Sequence, residues 1–592
     1  MREDVRIGCW AGFWGDTREA AARIVRGAPI DYLVADHLAE ITMALLARAR
    51  ARGPAAGYVA DAVEALAPLL GEIHERSIRV VTNAGGLDPR GCVDALRAAA
   101  AAAGVSMRVA CVTGDDVLPL AGTLRERGAE LPEQPLTMNA YLGARPIATA
   151  LDMGADVVVT GRCADSAVVL GPLLHEFGWG DGDHDLLSAG SLVGHIVECG
   201  PQCLGGLFTD WEEVPGWDDM GHPIAECRPD GSATITKPPG TGGMVTPATV
   251  AEQILYEIGD PAAYVMPDVV CDWRDVRLEQ EGHDRVRVTG ARGRAATATY
   301  KATATRLDGF RLVASAMFAG GDAAGRARRV GEAILVRAGR IAAEAGHGPF
   351  TETSVEVVGA GEAVVKIAAR HPERAALEVL AREIAPMGLV AQGMTGLFAG
   401  RPRPAPVVSL THVLVPKADV AVTVELDGET VAVRPAATPE GAAAKPERIA
   451  PDRAAPARAA PEPAPLPEPP PPAVADPVVV PLRTIAYARS GDKGNDANIG
   501  VIARRPELAD WIRDQVTAAR VAEVFGRWLD GPVRRYALPG LDAINIVLSD
   551  VLGGSGGTSS LRFDPQGKTY AAILLDMPVE VPADLLARSS GE

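Results

Sequence analysis

Five short apolar runs in the first 160 residues each end in glycines and polar groups, and those endings carry most of the side chains able to do chemistry. Val5–Cys9 runs into Trp10-Ala-Gly12-Phe-Trp14-Gly15-Asp16, and Tyr32–Ala35 into Asp36-His37. Ile78–Thr82 gives Asn83-Ala-Gly85-Gly86, Met107–Val112 gives Thr113-Gly114-Asp115-Asp116, and Asp156–Thr160 gives Gly161-Arg162-Cys163-Ala-Asp165-Ser166. Arg162 has the planar fork that suits a carboxylate or phosphate. Asp115 and Asp116 form a pair in which one carboxyl of raised pKa would serve general acid–base chemistry. Asp165, Ser166, Asp36 and His37 complete the candidate catalytic set. Each has a structural alternative: Asp165 or Ser166 as cap of a helix predicted over Val168–Phe177, and one of Asp115 and Asp116 as another cap. Asn83, Gly85 and Gly86 are candidate substrate contacts. The Asp36-His37 pair with Glu40 fits no metal signature, so no metal is expected. Cys163 reads as a buried thiol, and the cluster His195, Glu198, Cys199, Cys203 as a packed helix end.

Two further stretches are candidates. Lys237-Pro-Pro-Gly240-Thr241-Gly242-Gly243 leads to Thr246-Pro247, a cap and first-turn pair for a helix over Pro247–Ile258. Glycine-rich amides before a helix make an anion nest, and Lys237 adds charge, although it precedes the glycines and so forms no Walker A loop. The densest polar loop is Arg489-Ser490-Gly491-Asp492-Lys493-Gly494-Asn495-Asp496-Ala-Asn498. It has more polar positions than a simple turn needs, and its spacing is not that of a calcium loop. With the flexible Gly553–Gly557 stretch it is expected to cover a ligand.

The elements that position these residues follow from the apolar pattern. Strands spaced by helical stretches in the first half argue for βαβ units and a parallel sheet, whose ligands sit outside the carboxyl ends of the strands. From residue 222 the pattern changes to a hairpin around Asp230-Gly231, strands at Val286–Thr289, Ala296–Thr303 and Phe310–Phe318, a helix over Ala323–Ala345 and later strands, an α+β arrangement. Between Pro435 and Pro477 there are 14 prolines and 14 alanines, a composition that makes an extended tether rather than a core. Strands predicted at Val478–Tyr487, Asn498–Ile502, Arg535–Leu538, Ala543–Leu548 and Tyr570–Leu575 form a small α/β sandwich. The domains expected are 1–265 (parallel α/β, with the site), 266–434 (α+β, packed on it), 435–480 (tether), 481–582 (small α/β) and 583–592 (tail).

Composition narrows the function. The chain has 592 residues, 58 basic against 76 acidic, and a net charge of −18, which disfavours a polyanion or nucleic-acid binder. No signal-peptide pattern opens it, and no apolar run is long enough to span a bilayer. Its eight cysteines form no C-x-x-C pair, so a reduced, cytoplasmic protein is expected, with a homo-oligomer as the default state.

Several blocks resemble the acyclic terpene utilisation family of AtuA type: Thr82-Asn-Ala-Gly-Gly-Leu-Asp-Pro89, Val112-Thr-Gly-Asp-Asp116, Asn139-Ala-Tyr-Leu-Gly143, Thr160-Gly-Arg-Cys-Ala-Asp-Ser166, Gly240-Thr-Gly-Gly243 and Tyr487 to Asn498. The resemblance covers residues 5 to about 430, then 481 to about 577 as a ferredoxin-like domain. It implies catabolism of branched or isoprenoid acyl-CoA compounds beside biotin-dependent carboxylases. The expectation is an enzyme acting on an acyl-CoA thioester or related carboxylated compound as lyase, hydratase or hydrolase, with no cofactor beyond the CoA of its substrate. Asp116 or Asp165 would be the acid–base group, Arg162 the carboxylate clamp, Lys237 with Gly240–Gly243 the phosphate nest, and Ser490–Asn498 the cover. The alternative is a non-catalytic partner or scaffold of an acyl-CoA carboxylase.

Overall fold

The computed structural model describes residues 3–50, 57–395, 400–435, 466, 477–554 and 559–587. The Pro/Ala-rich tether lies almost wholly outside them, as do Ser555, Gly556, Gly557 and the end of the tail. Among the described residues no helix is long and apolar enough to cross a membrane.

The first six strands are β1 (Val5–Cys9), β2 (Tyr32–Ala35), β3 (Arg79–Thr82), β4 (Val109–Thr113), β5 (Thr137–Ala140) and β6 (Val157–Thr160). Five of them lie side by side and parallel in the order β1, β2, β3, β6, β4. Nearly every residue in them is buried, because helices cover both faces; the strands therefore read as unbroken apolar runs. Between β3 and β4 runs the helix Pro89–Ala102, begun by Asp88, whose carboxylate accepts the Gly91 N–H at 3.0 Å. The strand β5 leaves this sheet and pairs with the long strand Thr299–Ala319, Asn139 lying opposite Thr303.

The expected hairpin is present as β7 (Ile224–Cys227) and β8 (Ala233–Thr236), with Gly231 at φ +83°, and it adds antiparallel to β1. The boundary at 265 needs correction. Arg277–Gly282 and Arg285–Thr289 extend that edge, while Val422–Leu426 and Glu429–Val433 extend the other through β4, making one sheet of eleven strands. The 266–434 segment thus starts and finishes in the first domain's sheet. Its middle forms a second sheet around Thr299–Ala319, which pairs with Glu362–His371 and Ala405–Pro416 and packs against the helices Ala323–Glu344 and Arg374–Glu383. The sequence predicts two strands where this single one runs; a register shift between Leu307 and Phe310, with Gly309 at φ +72°, is what reads as a connection.

The last domain has a four-stranded antiparallel sheet, in spatial order Ala486–Lys493, Asp496–Ala503, Ala543–Leu548 and Val533–Leu538. The helices Ala509–Gln515, Ala518–Phe525 and Tyr570–Leu575 pack against it. Tyr570–Leu575, predicted as a strand, is helical because Tyr570, Ala571, Leu574 and Leu575 share one helix face and bury it. Arg489 to Asn498 is likewise no loop. It is a β-hairpin turning at Gly494-Asn495.

Candidate functional site

The carboxyl ends of β2, β3, β4 and β6 are tied to one another. Asn83 donates through Nδ2 to Asp36 Oδ1 and accepts the His37 N–H at 2.7 Å. Asp115 Oδ2 accepts the Arg162 N–H at 2.9 Å and Asn139 Nδ2 at 2.8 Å. Arg162 Nη1 reaches back to Leu38 O and pairs with Asp165 at 2.8 Å. Asp36, Asn83, Asp115, Arg162 and Asp165 therefore belong to one bonded layer. Burial pushes the Asp115 carboxyl up to about 6. Burial and the nearby Asp165 push Asp36 well above the usual carboxylate range. Burial also raises Asp165, more than Arg162 lowers it.

The second sheet closes this layer from above. Tyr141, just after β5, donates its hydroxyl to Glu40 at 2.8 Å, and Lys301 reaches the same carboxylate at 2.9 Å. The Tyr141 ring has the Arg162 guanidinium 4.1 Å from its centre and the Lys301 amine 4.9 Å away, so one aromatic ring serves two cations. Burial opposes ionisation of Glu40, but Lys301 and Arg162 hold its carboxyl well below the ordinary value. His412, bonded to Thr303 at 2.9 Å, is kept neutral by burial, its pKa lowered to about 3. A small hollow of about 10 Å³ opens here, lined by Glu40, Met43, Asn139, Tyr141, Arg162, Thr303 and Thr305.

The tethered domain packs beside this layer through its hairpin. Lys493 Nζ donates to Glu257 O at 2.9 Å and lies 4.9 Å from the centre of the Tyr264 ring. Asn498 accepts the Glu257 N–H at 2.9 Å and donates to Leu255 O at 2.6 Å, while Asn545 donates to Ile258 O and Gly259 O. These bonds hold Glu257 at φ +55°, a left-handed conformation that costs a non-glycine residue about 1–2 kcal/mol. Burial pushes its carboxyl up to about 7. Protein surrounds these groups densely, yet the side chains of Glu40, Lys301, Asp165 and Glu257 remain 24, 39, 38 and 35% exposed. That combination describes a solvent-accessible cleft, not a core. Glu198 and Asp492 add two more carboxyls raised by burial, Glu198 accepting from or donating to His195 at 3.1 Å.

Other sequence candidates have structural duties. Asp116 is exposed and takes the Leu118 N–H at 3.1 Å in a local turn, without being the cap of the short helix that follows, so it is not the buried acid of its pair. Gly85 packs against Thr160 O and Pro89, and Gly86 against Leu46 and Gly57 O, leaving no room there for a ligand. Ser166 forms no side-chain cap bond; Gly194 of the helix His184–Val197 presses on it. His37 packs edge-on against Trp10 at 5.1 Å, and burial lowers its pKa to about 4. The proposed anion nest is filled by its own chain: Lys237 pairs with Asp284 at 3.1 Å and donates to Thr241 O at 2.6 Å, Gly242 N bonds Asp219 O, and Gly243 N bonds Pro215 O, while Gly240 at φ +77° forms the turn. Arg489 binds Gly206 O and Gln202 across the domain boundary. Ser490 bonds Gly567 O, Asn495 bonds Asp550, and Asp496 accepts the Asp550 N–H, all within the last domain. Cys163 is buried with its thiol pushed up to about 12, and His195 packs on Trp273 at 5.1 Å.

Tyr141, Lys301, Thr303, Glu257 and His412 escaped the sequence reading. Tyr141 lies within a block noticed for its likeness, and Lys301 is a lone cation among small residues and threonines; Glu257 follows a helix end with no pattern to mark it.

No curated protein and no solved structure matches the chain. Two family profiles do: that of the acyclic terpene utilisation family protein AtuA over residues 5–426, and that of the AtuA ferredoxin-like domain over 480–580. The first spans both sheets and the whole charged rim, the second the domain that brings Lys493 to it, and the chain therefore belongs to the AtuA family.

Proposed function

We propose that the protein is a cytoplasmic enzyme of branched or isoprenoid acyl-CoA catabolism that moves protons on an acyl-CoA thioester or related carboxylated compound, as a lyase, hydratase or hydrolase. The observation that carries the reading is a charged cleft with Arg162 and Lys301 on the Tyr141 ring, Lys493 on the Tyr264 ring, and Lys568 3.5 Å from Glu257, a carboxyl with a pKa of about 7. A group poised near neutrality serves as acid and as base with equal ease. Cations fixed beside it stabilise the negative charge that develops on a thioester oxygen or a substrate carboxylate. Family membership supports the metabolic setting. The eight cysteines, all free, suit a reducing compartment. CoA enters as part of the substrate; a homo-oligomer is the default for such an enzyme.

The test is calorimetric titration of the full-length protein with a panel of acyl-CoAs. Arg162→Ala is expected to weaken binding at least about tenfold, the loss of one charge-assisted contact, and Lys237→Ala to leave it unchanged. No binding by any acyl-CoA, with co-purification of a biotin-dependent carboxylase, supports the scaffold alternative instead.

A further inference from the structure

The cations of the cleft are not equivalent. Arg162 has Asp165 at 2.8 Å, Lys301 has Glu40 at 2.9 Å and Lys568 has Glu257 at 3.5 Å. Lys493, half-buried, has no carboxylate oxygen within 4.0 Å among the described residues. Its single hydrogen-bond acceptor is the main-chain oxygen of Glu257, and its other neighbour is the Tyr264 ring. An ammonium enclosed in this way is desolvated while its carboxylate neighbours, Glu257, Glu40 and Asp165, act only from beyond 4.0 Å, so the neutral amine gains. Burial and the nearby Lys301 lower its pKa by more than those carboxylates raise it, and they are the two influences that turn a lysine into a nucleophile. Glu257, whose own carbonyl receives this amine, places a proton-exchanging carboxyl on the same residue.

We propose that Lys493 is a covalent site, its amine condensing with the ketone carbonyl of an oxo acid or 3-oxoacyl compound to form a Schiff base. This assignment rests on reading the cleft as the ligand site and adds a substrate class and a covalent residue to it. The Nζ lone pair forms the C–N bond as the carbonyl π pair moves to oxygen, which takes up a proton from solvent. Nζ gives up a proton to solvent. The carbinolamine hydroxyl receives a proton in turn and leaves as water, and the C=N bond forms. One amine, one ketone and one proton become one protonated imine and one water, with no oxidant or reductant. Arg162 and Lys301 draw the anionic end of the ligand, and the imine then serves as electron sink for cleavage of the neighbouring C–C bond.

The test is reductive trapping. Full-length protein is incubated with acetoacetate and cyanoborohydride at pH 7, and adducts are located by peptide mass spectrometry. The expected result is an adduct at Lys493 formed at least about tenfold faster than at any other lysine, absent in Lys493→Arg, and slower with the uncharged ethyl ester. Absence of an adduct at Lys493, or labelling there no faster than at surface lysines, overturns the proposal. Calorimetric binding of acyl-CoA by the same preparation separates the two claims: retained binding without trapping removes only the covalent role, whereas loss of both removes the reading of the cleft as well.

Discussion

Replacing Asp115 by Asn tests whether the layer beneath the cleft is held by hydrogen bonds or by charge. Asp115 is 4% exposed, and both of its donors, the Arg162 N–H and Asn139 Nδ2, reach the same oxygen, Oδ2. An amide oxygen in that place accepts both bonds, so Asp115→Asn removes the charge and keeps the geometry. The carboxyl has a folded pKa of about 6 against a reference of 3.8. A group raised in the folded state binds more protons folded than unfolded between those two values. Stability therefore falls as pH rises from about 4 to about 6 and is flat above. A shift of about two units, at about 1.4 kcal/mol each, sets an upper bound of about 3 kcal/mol for the penalty at pH 8. At roughly 2–4 °C per kcal/mol, the variant should melt several degrees above wild type at pH 8, with the gap closing by pH 4. Thermal unfolding followed across that range measures it. A variant that melts lower than wild type at pH 8, by as much as at pH 4, would falsify the account, because the charge itself would then be holding the Arg162 loop.

Four other outcomes are expected. Arg504→Ala removes a fork onto Asp210 (2.5 and 2.6 Å, both side chains about a quarter exposed) and a cation 4.2 Å from the Tyr487 ring centre, so about 1–2 kcal/mol of domain seating is lost and amide exchange over residues 486–503 accelerates. Gly491→Ala sets a methyl 2.6 Å from Glu257 Cγ; overpacking of about 1–3 kcal/mol should unseat the hairpin, read as new protease cleavage between the domains. Because the Glu257 carboxyl ionises near pH 7, acyl-CoA binding should weaken as pH rises through 7 in wild type and lose that step in Glu257→Gln, measured by calorimetry. Asp116→Ala, at an exposed turn, should cost under about 1 kcal/mol and leave acyl-CoA affinity unchanged.

The parallel strands were legible because burial on both faces turns each into an apolar run with a polar stop. Val5–Cys9 and Tyr32–Ala35 can be read to the residue. The rim was legible for the same reason: polar groups at the stops Asp36, Asn83, Asp115 and Arg162 converge wherever the strands are parallel. Helix against strand was less so. The run Tyr570–Leu575 has no alternation to exploit, and only its packing decides the matter. Sheet membership is the hardest to read, since Val422–Leu426 joins β4 across more than three hundred residues of chain, and no local pattern encodes so distant a partner.

The hairpin from Arg489 to Asn498 explains why a polar segment can mislead about structure and still point towards function. Its density of polar groups argues for a ligand loop, because a solvent-facing turn has no use for so many. A surface between two domains has the same need. Arg489, Lys493 and Asn498 satisfy main-chain groups at Gly206, Glu257 and Leu255, and glycines at 491 and 500 let the strands approach Tyr256 and Leu255 closely. A tethered domain seated by so many directional bonds adds Lys493 to the cleft only while it is docked. The strained Glu257 backbone is held by the same contacts, from Asn498 and Lys493. Docking and the ionisation of Glu257 are thus coupled through one peptide, so a change that loosens the hairpin should alter the pH dependence of ligand binding before it alters the fold of either domain.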